Sequence, residues 1–215
     1  MDPITRILLV RHGETAWNRR RIFRGRYDIP LNDTGRAQAR LVAEEIAHKA
    51  IEVAYSSPLK RALETARLAC AAFECGVCTH EGLLDVDYGD WTQIDEQTVR
   101  ARWPREYMQW QTKPHLCRPP NGETLGELYE RSWAALEQII TLNRGKTVSV
   151  FAHRVVNKVL LLGVLRLGLD RFPYIIQDNC CINELERVES DYRIRLLNST
   201  RHIQNAGVEL LTADF

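Results

Sequence analysis

Ile7-Leu8-Leu9-Val10-Arg11-His12-Gly13-Glu14-Thr15 begins with four apolar residues and then stops abruptly at a basic pair. A short apolar run without polar alternation is the pattern of a strand buried on both faces. The pattern returns twice. Ile51 to Tyr55 leads into Ser57-Pro58-Leu59-Lys60-Arg61, and Thr147 to Ala152 leads into His153. Helical periodicity fills the intervals. A helix is expected from Asp33, capped by Thr34, with Ala37, Leu41, Val42 and Ile46 on one face. A second is expected at Ser57-Pro58, with Ser57 as N-cap, proline at the first helical position, and Leu59, Leu63, Ala66 and Ala69 facing inward. A long helix from Thr124 to Leu142 should end at Asn143-Arg144-Gly145. A strongly apolar one should run from Val155 to Leu169. Ile182 to Val188 and Tyr192 to Leu197 read as paired strands.

Strands alternating with helices predict an α/β fold, a three-layer sandwich whose mostly parallel sheet carries helices on both faces. Residues 85–122 interrupt the alternation. They hold Trp91, Trp103, Trp110, Tyr88 and Tyr107, then Pro114, Pro119, Pro120 and Gly122. They read as a small helical cap inserted into one domain spanning residues 1–215.

Composition narrows the function. A net charge of +1 provides no field for nucleic acid or an anionic membrane. The one basic run, Arg19, Arg20, Arg21, Arg24 and Arg26, has no counterpart elsewhere. No stretch approaches the ~20 apolar residues of a membrane span, and the N-terminus offers no secretory signal. A soluble, cytoplasmic protein is expected. Cys75 and Cys78 form a C-x-x-C pair, but the remaining cysteines include the adjacent Cys180-Cys181, a poor spacing for a tetrahedral zinc ion. Reduced structural thiols are the reading, and neither metal nor other cofactor is invoked.

In open α/β sheets, ligands bind beyond the carboxyl ends of the strands. Three segments therefore deliver Arg11, His12, Arg61 and His153 to one edge. Arginine forks suit the oxygens of a phosphate dianion. Arg61, in the first turn of its helix, adds the pull of the amide dipoles. A neutral imidazole can attack phosphorus, a cationic one can stabilise the equatorial charge, and a carboxylic acid can protonate the leaving oxygen.

These residues fall within a larger pattern. Leu8 to Asn18, Asp28-Ile29-Pro30-Leu31 with Gly35, Ser56 to Ala62 with Glu64-Thr65-Ala66, Leu84 to Trp91, Gly122-Glu123-Thr124 and Val150-Phe151-Ala152-His153 resemble, in order, the motifs of the histidine phosphatase superfamily, in its phosphoglycerate mutase-like branch. The resemblance implies that fold and assigns roles. His12 would be the nucleophile; Arg11, Asn18, Arg61 and His153 the phosphate pocket; and Asp85, rather than Asp87, the proton donor, where the family usually keeps a glutamate. Arg24, Gly25, Tyr88 and Arg154 would line the substrate site. Arg154 replaces the glycine that commonly follows the second histidine.

The resemblance further implies a metal-independent phosphomonoesterase, acting on a small phosphorylated metabolite through a phosphohistidine. The short segment between Asp85 and Gly122 favours hydrolysis over the mutase reaction. Asp178 to Ile182, with Leu196-Leu197-Asn198 and His202, is similar to metal-independent phosphoserine phosphatases. Those enzymes, however, carry histidine where Tyr88 stands and glutamine at Arg24. Two alternatives stand beside this reading: a cofactor-dependent phosphoglycerate mutase and a non-catalytic phosphate-binding module. A small phosphate ester is the expected partner, with a homodimer allowed.

Overall fold

The computed structural model describes residues 3–211, so both ends of the expected 1–215 domain lie outside the described residues. The chain runs β1 (Thr5–Arg11), α1 (Ala16–Arg19), α2 (Asp33–Ile46), β2 (Val53–Ser56), α3 (Lys60–Ala69) and β3 (Val77–Thr79). It continues through α4 (Glu96–Arg102), α5 (Pro104–Thr112), α6 (Leu125–Leu142), β4 (Thr147–Ala152) and α7 (Arg154–Val164). A hairpin of β5 (Ile182–Val188) and β6 (Asp191–Ser199) comes next, and then the short α8 (Arg201–Asn205). Among the described residues the strands form one sheet in the order β3-β2-β4-β1-β5-β6. β3, β2, β4 and β1 are parallel neighbours, whereas β5 runs antiparallel to both β1 and β6.

Alternation along β1 builds both cores. Ile7 and Leu9 face α6, α7 and the aromatic insertion, while Leu8 and Val10 face α2, α3 and α8. A strand covered on both sides has no polar face to show, which is why Ile7 to Val10 is apolar throughout. β4 is buried at every position for the same reason.

Several boundaries differ from the sequence reading. The cap of α2 is Asn32, not Thr34: Asn32 is extended, and its side-chain oxygen accepts the Gly35 N–H at 2.8 Å. Helix α3 starts at Lys60 rather than Ser57, because Ser57 still belongs to the sheet edge and donates its N–H to Phe151 O at 2.9 Å. Helix α7 stops at Val164, five residues short of Leu169. Arg166, at φ 55°, gives its N–H to Gly163 O while Leu167 gives its own to Leu162 O. Those two bonds form a Schellman cap, which apolar periodicity cannot reveal. The three-residue edge strand β3 carries no sequence signal of its own.

Residues 85–122 contain α4 and α5 joined by turns, with Trp91 and Trp110 buried. The insertion is fastened to the loop after α1: Phe23 and Ile94 are hydrogen-bonded backbone to backbone, and Gln93 N–H donates to Phe23 O at 2.8 Å.

Two glycines let the loop after β1 dock on α2. A Cβ on Gly13 would lie 2.5 Å from Gly35 O, and one on Gly35 would lie 2.1 Å from Glu14 O. Backbone meets backbone there, and neither side can yield. Gly35→Ala is expected to destabilise the fold by about 1–3 kcal/mol, read as a lowered urea midpoint at unchanged m-value.

Candidate active site

The two histidines are neighbours because the strands that precede them are neighbours. Arg11 is in register with Ala152, and His12 N–H donates to Ala152 O at 3.0 Å. The rings of His12 and His153 lie with centroids 5.3 Å apart and planes at 59°. β2 lies on the other side of β4 and brings Ser57 and Arg61 to the same edge. Arg11, His12, Arg61 and His153 are all buried. A wider concavity, lined by Trp133, Arg166, Arg187 and Tyr192 among others, lies at the opposite end of the sheet, where Arg187 pairs with Thr5, and contains none of these residues.

His12 is set in one tautomer. Its Nδ1 is 2.6 Å from Gly13 O, and a carbonyl can only accept, so Nδ1 carries the hydrogen and Nε2 the lone pair. Nε2 is buried and has no hydrogen-bond partner among the described residues. Burial, reinforced by Arg61, His153, Arg11 and Arg24, pushes the His12 pKa well below 6.5. The ring is therefore a neutral base at physiological pH.

His153 Nε2 is hydrogen-bonded to Ser57 Oγ at 2.8 Å, and its Nδ1 lies 3.6 Å from Asp85 Oδ2. The sequence reading expects a cation here. Instead, burial first, then Arg61, Arg24, Arg131 and Arg11, push the pKa of His153 well below 6.5. A dianion arriving among these guanidiniums would oppose their influence and favour the protonated ring.

Arg61 donates through Nη2 to Asp85 Oδ2 at 2.9 Å and to Gly25 O at 2.7 Å, and through Nη1 to Tyr27 O at 2.9 Å. Burial pulls its pKa down to about 10 against the opposing charge of Asp85, so it stays cationic. Gly25 thus meets Arg61 through its carbonyl, at φ 50°. Asp85 is buried, and its Oδ1 accepts the Val86 N–H at 3.0 Å. Asp87 is instead turned to its own Gly89 N–H at 2.9 Å.

Arg131 escaped the sequence reading. From α6 it donates to the carbonyls of Gly82, Leu84 and Asp85 and pairs with Glu123 at 2.6 Å. It clamps the segment that carries Asp85, yet nothing local distinguishes it from other helix-surface arginines. A polar layer beneath β1 is likewise invisible locally. Arg11 Nη1 donates to Gln177 O at 2.6 Å, Asn183 bonds both Gln177 and Leu9 O, and Asn179 Nδ2 donates to His12 O at 3.2 Å.

The remaining candidates are distributed around this centre. Asn18 is buried, and its Oδ1 accepts from Thr15 N–H and Oγ at 2.9 and 2.8 Å. Arg24 is buried close enough to act on both histidines. The basic run is not one solvated face: Arg19 pairs with the buried Glu14 and Arg21 with Glu96, while Arg26 lies near Asp87 and Glu123. Tyr88 is packed edge-on between Phe23 and Trp110. Arg154 lines a separate cavity against the cap. The six cysteines are all unpaired, with Cys70, Cys117, Cys180 and Cys181 buried.

Comparison with known proteins yields a consistent picture. The model of the histidine phosphatase superfamily (branch 1) matches residues 7–200. Phosphoserine phosphatase 1 of Hydrogenobacter thermophilus is 30% identical over 206 residues, covering 96% of this chain and 98% of its own. The solved structure of Bacillus stearothermophilus YhfR superposes with a TM-score of 0.90 at 27% identity, over 93% of this chain and 99% of that one. A mutant phosphoserine phosphatase from Entamoeba histolytica, in complex with phosphoserine, superposes with a TM-score of 0.83 at 26% identity, over 93% and 99%.

The buried imidazoles make stability depend on pH. Below 6.5 the unfolded chain takes up protons at His12 and His153 that the fold refuses. Stability is therefore complete above that pH and declines as pH falls through it, by up to about 1.4 kcal/mol per pH unit for each ring. Urea midpoints from pH 7 to about 5, with NMR titration of the two imidazoles, check this.

Proposed function

The chain belongs to the histidine phosphatase superfamily (branch 1), and we propose that, as a phosphoric monoester hydrolase of that family, it transfers the phosphoryl group of a small metabolite to His12 and then to water. One observation carries the reading: His12 holds a neutral, buried Nε2 that bonds nothing among the described residues, while its Nδ1–H is committed to Gly13 O. Such a nitrogen is a nucleophile that does not have to shed a proton or a hydrogen bond before it attacks.

The steps are set by the neighbours. Nε2 of His12 forms a bond to phosphorus as the ester P–O bond breaks, and the leaving oxygen takes the proton that the substrate monoanion brings in, relayed through Asp85. The equatorial oxygens are held by Arg11, Arg24 and Arg61, with His153 sharing their charge as the transition state expands. Water then attacks the phosphohistidine while Asp85 relays a proton from it to the phosphate, restoring the free imidazole. Guanidiniums supply the charge stabilisation in this scheme, so EDTA should leave the rate untouched. Asp85 is shorter than the glutamate implied by the family resemblance, and its reach to the leaving oxygen relies on the clamp from Arg131.

Hydrolysis of 4-nitrophenyl phosphate in EDTA tests the reading, with trapping of acid-labile phosphate on the protein as a second readout. Turnover that survives His12→Ala defeats the reading, and interconversion of 3- and 2-phosphoglycerate dependent on 2,3-bisphosphoglycerate would assign a mutase instead. Asp85→Asn should lower kcat by about 10²–10⁴ for alkyl phosphates. The loss should be much smaller for 4-nitrophenyl phosphate, whose leaving group does not need a proton.

A further inference from the structure

One guanidinium joins the loop after α1 to the segment that carries Asp85. Arg61 Nη2 donates to Asp85 Oδ2 at 2.9 Å, and its Nη1 donates to Tyr27 O at 2.9 Å. Tyr27 N–H donates in turn to Arg24 O at 3.0 Å, which closes residues 24–27 into a tight turn. Gly25 sits inside that turn at φ 50°, a conformation glycine adopts without strain. Asp28 anchors the exit, its Oδ1 accepting the Lys60 N–H at 2.6 Å where α3 begins. The backbone of Tyr27 is therefore fixed one guanidinium away from Asp85, on the side where the leaving group stands.

The side chain of Tyr27 has no such local reason. Turns are ordinarily filled by Gly, Pro, Asn, Asp and Ser, so the conformation does not call for an aromatic ring. Tyr27 is also 44% exposed. Its ring lies on Trp17 with centroids 4.9 Å apart and planes 11° from parallel. Trp17 is half-buried, between the exposed Ala16 and the buried Asn18. The aromatic contacts of the cap are different: Phe23–Tyr88 and Tyr88–Trp110 meet edge-on, at 72° and 83°. Edge-on rings fill a core, whereas a parallel pair leaves the outer face of each ring uncovered. Such a ring is preorganised. Its turn is held by Arg61 and its side chain by Trp17, so a ligand that stacks on it does not have to immobilise it.

We propose that the Trp17–Tyr27 stack is a platform for a planar ring in the leaving group, with Tyr27 setting specificity through its exposed face. The substrate class is a phosphomonoester whose alcohol carries a conjugated ring, either carbocyclic or a nucleobase. The inference rests on the phosphatase reading for the orientation of the ester, with phosphorus at His12 and the ester oxygen toward Asp85. Stacking itself is a matter of binding and can be measured apart from turnover.

Benzyl phosphate and cyclohexylmethyl phosphate share a primary alkyl leaving group and differ in whether the ring is flat and conjugated. The ratio of kcat/KM for the first over the second should be about three to ten in the unmodified protein, as an aromatic pair confers beyond its area. Adenosine 5′-monophosphate against ribose 5-phosphate poses the same question for a nucleobase. Tyr27→Leu keeps an apolar side chain without a π-face and should bring each elevated ratio to near one. Tyr27→Phe should retain it. The pair of esters with the larger ratio identifies the kind of ring. Dissociation constants from calorimetry on the His12→Ala protein repeat the comparison without catalysis. Two ratios near one in the unmodified protein, or ratios that survive Tyr27→Leu, overturn the platform. So does a loss shared equally by all four esters, which would make Tyr27 a structural residue. Absence of hydrolysis for every ester alongside intact binding ratios overturns the phosphatase reading alone.

Discussion

Everything at the site depends on the parallel pairing of β1 with β4. That ladder runs from Arg6 beside Thr147 to Arg11 beside Ala152, and its last rung is the bond from His12 N–H to Ala152 O. Two chain segments some 140 positions apart are thereby brought to end at the same level, each delivering a histidine. A slip of one residue would turn His12 and the whole apolar set of β1 to the opposite face. Register is secured by burial on both sides: Ile7 and Leu9 belong to one core, Leu8 and Val10 to the other.

Around that pair the protein concentrates positive charge in a place where water is scarce. Arg11, Arg24 and Arg61 are buried beside the imidazoles, and Arg61 is held by Asp85, Gly25 and Tyr27. Burial first, and then their charge, keeps both histidines neutral, which leaves the pocket responsive to an incoming dianion. The polar groups of the surrounding backbone are committed to partners within the fold. Gly13 N–H donates to Thr65 Oγ1, whose own hydroxyl donates to Arg61 O, tying the loop that carries His12 to the helix that carries the arginine.

Local and nonlocal information part company in this fold. The apolar runs ending at Val10, Tyr55 and Ala152 did mark strands, and the residues after them did meet at one edge. Helix α6 matched its expected span because its ends are written locally: Thr124 and Glu127 form a capping box, and Gly145 adopts φ 79° just beyond. Expectation failed where a boundary depends on a partner. Ser57 stays extended because Phe151 accepts its N–H, and α7 ends early because Arg166 turns left-handed into a two-bond cap. The basic run, read as one stretch of charge, is divided between the nearby Glu14 and the distant Glu96 and Glu123.

The order of elements, the strand-end positions of Arg11, His12, Arg61 and His153, and the family whose motifs they complete are all legible in the linear chain. They rest on short-range periodicity and on side-chain chemistry, which a string of residues carries unfolded. Folding alone settles which nitrogen of His12 is the base, that His153 is neutral, and that Arg131 steadies Asp85. Each of those depends on desolvation or on contact between residues far apart in the chain. Such energies exist only once the chain has closed around them.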